Sequence, residues 1–106
     1  MFIATNRLFV PADRAAEFEE KFRLNMRTYL PGVPGLRRST LLRPTSEDQP
    51  YVSVNEFDTE EDFRAWVASD SFREAHARNK EGIARHVTGN AVETFNPSED
   101  LVLTAD

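Results

Sequence analysis

The sequence predicts an α+β fold in the order β-α-β-β-α-β. Three observations predict it: runs of β-forming residues closed by prolines, two stretches whose apolar residues recur every three or four positions, and a polar turn between two adjacent strand-like runs. Residues 2 to 10, Phe-Ile-Ala-Thr-Asn-Arg-Leu-Phe-Val, read as a first strand stopped by Pro11. From Asp13 to Tyr29 the apolar set Ala15, Phe18, Phe22, Met26 and Tyr29 has the spacing of an amphipathic helix, with Asp13 and Glu17 near the positive end of its dipole. The Pro31-Gly32-Val33-Pro34-Gly35 run ends that helix and opens onto a second strand from Leu36 to Arg43, closed by Pro44. After the polar turn Thr45–Pro50, Tyr51 to Phe57 alternates as a third strand and should pair with the second as a hairpin. A second helical region starts at Asp58 or Thr59, runs through Phe63, Trp66 and Val67, breaks at Ser69-Asp70-Ser71 and resumes through Phe72, Ala75 and His76, so two short helices are expected. A polar loop from Asn79 to Gly89 leads to a fourth strand, Asn90 to Phe95, followed by Pro97 and an acidic tail.

That order is the ferredoxin-like split βαβ pattern. At 106 residues, with no linker, repeat or low-complexity segment, the chain is of single-domain size: residues 1–97 form the domain and 98–106 a short tail. Helices on one sheet face leave the other bare, and pairing two such sheets face to face would cover it, so a homodimer is expected.

Composition narrows the function. A 40% hydrophobic and 29% charged chain is neither disordered nor fibrous. A net charge of -5 argues against nucleic acid as the partner. The absence of cysteine excludes disulfides, thiolate nucleophiles and iron–sulfur clusters. The start lacks the features of a secretory signal and no apolar run could span a bilayer, which makes a cytoplasmic location, away from the membrane, the expectation. There is no Gly-rich phosphate loop and no nucleophile elbow, and the acidic pairs Glu19-Glu20 and Glu60-Glu61 have no second cluster with which to hold a metal.

Three residues remain that could carry chemistry. Asn6 shares strand parity with Phe2, Ala4, Leu8 and Val10, so it points wherever that apolar set points; an unpaired amide there costs about 1–3 kcal/mol unless the protein or a polar ligand satisfies it. Trp66, the single tryptophan, lies one turn from Phe63 and reads on its own as a core anchor. His76 follows Phe72 by four residues on an apolar helix face, where an imidazole can ligate iron through one ring nitrogen while the other is oriented by a hydrogen bond, although a lone histidine is more often without such a role. His86, without apolar company, reads as a surface residue, and the basic residues of the helical regions read as solvated.

Taken together, Thr5-Asn6-Arg7-Leu8, Phe63-Arg64-Ala65-Trp66 and Phe72-Arg73-Glu74-Ala75-His76, with Lys21-Phe22 and Leu41-Leu42-Arg43-Pro44, resemble the IsdG-type haem-degrading monooxygenases of the broader antibiotic biosynthesis monooxygenase group. The resemblance covers all but the tail, and the trio is more specific than any one of its members. It implies a dimeric α+β barrel in which haem is both cofactor and substrate, consumed with O2 and electrons from an external donor, an unidentified reductase. It further implies that His76 is the axial ligand of the haem iron, that Asn6 donates its amide to the bound oxygen, and that Trp66 presses the porphyrin out of plane. Phe22 would wall the pocket, and a basic residue, Lys21 or Arg7, would approach the propionates. One departure is visible: relatives often carry an aromatic after the glycine of the loop following the first helix, where this chain has Val33 and Leu36. Two other functions remain open at this point: a cofactor-independent oxygenase acting on an aromatic substrate, and a non-catalytic haem-binding dimer.

Overall fold

The computed structural model describes residues 1–79 and 87–105, without the side chains of residues 78 and 79. His86 lies outside the described residues. Strand β1 (Phe2–Phe9) is followed by helix α1 (Ala15–Tyr29), strands β2 (Leu36–Leu42) and β3 (Tyr51–Phe57), helices α2 (Glu60–Val67) and α3 (Asp70–Asn79), and strand β4 (Gly89–Phe95). The four strands form one sheet in the order β2-β3-β1-β4, with every neighbouring pair antiparallel. This is the ferredoxin-like α+β fold, and β2 and β3 make the expected hairpin.

Helix α1 starts two residues later than its apolar spacing suggests. Pro11 fixes φ at -58°, and a 3-10 turn over Ala12–Arg14 closes on it through the Arg14 N–H, 2.9 Å from the Pro11 carbonyl; α geometry begins only at Ala15. Only Glu17 is then left in the first turn of α1. The tail also carries a 3-10 turn, Glu99–Leu101.

Two glycines at positive φ shape the α1–β2 loop, Gly32 at 83° and Gly35 at 76°. Gly35 also meets a neighbour: a Cβ there would lie 2.3 Å from the Asp62 carboxyl group, and the Gly35 carbonyl accepts the Asp58 N–H at 2.8 Å. The loop is thereby clamped to the start of α2. Thr59 caps that helix, accepting the Asp62 N–H at 3.1 Å.

The break between α2 and α3 belongs to Ser69. Its hydroxyl donates to the Trp66 carbonyl at 2.6 Å and accepts the Phe72 N–H at 3.2 Å, ending one helix and capping the next. Helix α3 is tied to α1 at two points, Ser71 Oγ donating to the Tyr29 carbonyl at 3.0 Å and Asn25 Nδ2 to the Ala75 carbonyl at 3.4 Å.

The helices cover the sheet face that carries Phe2, Ala4 and Leu8, all buried. At one end this layer is filled. Leu8, Phe18 and Tyr51 form a buried cluster, with Ala15, Phe22 and Leu41 packed against it. Above it the Tyr51 hydroxyl donates to Glu19 Oε2 at 2.5 Å, and Arg43 reaches the same carboxylate with Nε at 3.0 Å and Nη2 at 2.6 Å. The hydrogen bonds from Arg43 and Tyr51 hold the Glu19 carboxyl below the usual carboxylate range, while burial and the Glu19 carboxylate push Tyr51 up to about 12. At the other end an aromatic chain runs Phe2–Phe63–Trp66–Phe72, with Phe57 fully buried against Phe63 and Trp66.

The opposite face stays open. It presents Phe9, Leu42 and Phe95, which are 42%, 49% and 50% exposed, in register with the half-buried Ile3, Val52 and Val54.

Candidate functional site

Between the filled cluster and the aromatic chain lies a cavity of about 340 Å³, with the sheet as its floor and α1, α2 and α3 as its walls. Its size is that of a small-molecule site. Asn6, Trp66 and His76, drawn from β1, α2 and α3, all line it, and so does Phe22 from α1.

Asn6 faces the cavity because strand alternation sends it to the same side as Ala4 and Leu8. Its cross-strand neighbours are Ser53 and Val92. Asn90 Nδ2 donates to Asn6 Oδ1 at 3.4 Å, a long bond that leaves the Asn6 NH2 group with no partner among the described residues. The amide is therefore held from the oxygen side with its donors free.

His76 reaches the cavity from an exposed position. Its Nδ1 is 2.8 Å from the Phe72 carbonyl oxygen. A carbonyl can only accept, so Nδ1 carries the proton and Nε2 keeps its lone pair. The ring also stacks on Phe72, with centroids 3.8 Å apart and planes at 26°. Phe72 in turn meets Trp66 edge-on at 4.8 Å and 89°, so the imidazole and the indole are braced by one side chain. Trp66 Nε1 is buried without a hydrogen-bond partner among the described residues. The same indole walls a second cavity of about 290 Å³, lined by Gly32, Val33 and Pro34. The loop without an aromatic residue thus shapes that second cavity and not the one holding the trio.

Lys21 and Arg7 are not brought to the cavity. Arg7 follows Asn6 by one residue and so projects from the open sheet face, where its Nε is 3.0 Å from Glu93 Oε1. Lys21 sits between the helix positions that face inward, Phe18 and Phe22, and lines neither cavity. Among the described residues, no lysine, arginine or carboxylate lines the main cavity.

The polar character of the cavity comes from residues that the trio does not include. Ser39, Ser53 and Asn55 share the floor with Asn6, and Asn25 enters from α1. Ser39 and Asn55 face each other across β2 and β3, with Ser39 Oγ donating to Asn55 Oδ1 at 2.7 Å. Their signal lies in strand parity: Ser53 and Asn55 alternate in phase with the inward aromatics Tyr51 and Phe57. Among the described residues there is no cluster of three potential metal-ligating His, Cys, Asp or Glu side chains, so a metal in this cavity would have to arrive with a group that brings most of its own ligands.

Residues 1–78 match the family model described as antibiotic biosynthesis monooxygenase. The chain is 32% identical over 77 residues to a haem oxygenase (staphylobilin-producing) from Staphylococcus haemolyticus, a match spanning 72% of this chain and 73% of that one. Its structure is similar to that of the haem-degrader MhuD from Mycobacterium tuberculosis, solved with two haems bound in its active site, at 25% identity and a TM-score of 0.74 over the whole of both chains. It is equally similar to SnoaB, a cofactor-independent oxygenase from Streptomyces nogalater, at 25% identity and a TM-score of 0.74, covering 94% of this chain and 95% of that one. The family match runs from β1 into the last turn of α3 and takes in every strand and helix that lines the cavity except β4, and on that ground the chain belongs to the antibiotic biosynthesis monooxygenase family.

Proposed function

We propose that the chain is a haem-degrading monooxygenase, binding haem as both cofactor and substrate and opening the porphyrin ring with O2 and electrons from an external donor. The observation that carries this reading is the state of His76: with Nδ1 engaged by the Phe72 carbonyl, Nε2 is left as a free lone pair at an apolar cavity, which is what an axial iron ligand requires. The 32% identical haem oxygenase supports the same substrate class.

The residues present fit haem. His76 would hold the iron, while Phe22, Phe63 and Trp66 would meet the flat apolar ring. With no cation in the cavity lining among the described residues, the propionates would stay in water at the mouth, on the exposed His76 side. Bound haem supplies the redox centre that activates oxygen and the carbon that is oxidised. The chain's part is positional. Asn6 holds two amide protons toward the cavity, where a fixed donor in a dry site stabilises developing negative charge without reorganising. Trp66, braced by Phe57, Phe63 and Phe72, is too confined to yield to a ligand, so the ligand must bend instead. The open sheet face, with Phe9, Leu42 and Phe95 exposed, supports a homodimer.

Titrating the purified protein with haemin should give a saturating Soret band at about one haem per subunit, lost in His76→Ala. An unchanged band in His76→Ala would remove the ligand assignment. A second reading, cofactor-independent oxygenation of an aromatic substrate, is favoured by the equal similarity to SnoaB and by the uncharged amide and hydroxyl floor. On that reading haemin would not saturate, and oxygen uptake would follow a phenolic substrate instead.

A further inference from the structure

We propose that Asn55, anchored by Ser39, is a second donor subsite on the cavity floor that takes a carbonyl oxygen of the opened tetrapyrrole product. The inference rests on the haem-degradation reading and adds a residue and a step to it.

Ser39 and Asn55 occupy interior positions of two adjacent strands, facing an otherwise apolar chamber. Polar groups there are costly unless bonded. Their mutual hydrogen bond satisfies the Ser39 proton and the Asn55 carbonyl oxygen, but the Asn55 NH2 group has no partner among the described residues. The neighbour across β1 is Ala4, whose methyl group is too short to cover it. Asn55 is therefore an oriented donor with nothing to donate to.

Asn6 is in the same condition one step away. Since Ala4 pairs with Asn55 and Asn6 with Ser53, the two carboxamides are diagonal neighbours on one sheet face, about 7–8 Å apart. A closed porphyrin offers carbon and C–H along its meso edge, and nothing that accepts a hydrogen bond. An oxidatively opened ring carries carbonyl oxygens at its cut ends. The acceptor that Asn55 lacks is created by the reaction itself, so the subsite favours product over substrate.

The test uses Trp66, the single tryptophan and a cavity wall, as an intrinsic fluorescence reporter of occupancy. The ligand-free protein is titrated separately with haemin and with biliverdin, an open tetrapyrrole with a carbonyl at each end. Both ligands bear the same two propionates. Asn55→Leu should weaken biliverdin about tenfold, the scale of one net hydrogen bond, and change haemin less than about twofold. Asn55→Asp, which keeps the size but replaces the donor with an acceptor, should show the same selective loss and serves if the leucine variant folds poorly. Equal weakening of both ligands would place a propionate at Asn55 and overturn the proposal; no change in either would also overturn it. Haemin failing to bind the wild-type protein would remove the haem reading and the subsite together, whereas haemin binding without the biliverdin difference removes the subsite alone.

Discussion

The two ends of the layer between sheet and helices are built from the same kinds of residue and do opposite things. Around Phe18 the space is full, and the polar groups above it, Tyr51, Glu19 and Arg43, answer one another. Around Trp66 the space is left open, and the polar groups that face it, Asn6, Asn55 and His76, each keep one atom unengaged among the described residues. Completed hydrogen bonds and packing mark the end that holds the fold together; incomplete ones mark the end that is available to a ligand.

Substitutions should separate the ends. The largest effect is expected at Phe18, which is 0% exposed: Phe18→Ala should cost about 3–5 kcal/mol in urea unfolding. Next comes Glu19. Glu19→Gln removes a charged acceptor used by two donors and should cost about 1.5–3 kcal/mol at neutral pH. Its pH signature is specific. A carboxyl lowered in the folded state stabilises above its unfolded pKa and loses that contribution as pH falls through the folded value, so the wild-type protein should weaken on acidification and Glu19→Gln should flatten that limb. Tyr51, raised to about 12, works in the other direction: its contribution is complete below the unfolded value of about 10 and fades as pH rises toward 12. Gly35→Ala should cost about 1–2 kcal/mol from the positive φ alone, and more if Asp62 cannot move away from the added methyl group; thermal melting measures it. The smallest effect on stability belongs to the open end. His76→Ala should change unfolding by less than about 0.5 kcal/mol while abolishing the haem spectrum, and a large stability loss there would erase the distinction between the ends.

Most of the fold was legible because period and punctuation agree. The proline- and glycine-bounded strands fall within one residue of their expected ends, and the apolar spacing of α1 and the Ser69 break are where the pattern puts them. The start of α1 was not legible, because a 3-10 turn and a helical turn share the same side-chain spacing over three residues. In the site, the cavity positions of Asn6, Trp66, His76 and Phe22 follow from periodicity on each element. The parity that turns Asn6 inward also turns Arg7 outward, so the sequence already held the reason why Arg7 is absent from the cavity. Asn55 and Ser39 were harder to find. Each is an ordinary strand residue until the β2–β3 register sets them opposite one another, and that register includes a shift between Leu36 and Arg38 that no periodicity reveals.

The central claim is that the open end consumes the haem it binds. It is tested most directly by following the protein–haemin complex in air with ascorbate as reductant and a ferrous chelator present. The account predicts that the Soret band decays to an open tetrapyrrole spectrum as iron appears in the chelator, with Asn6→Ala retaining the band and losing the decay. A complex that stays intact under these conditions, with no iron released, would contradict it.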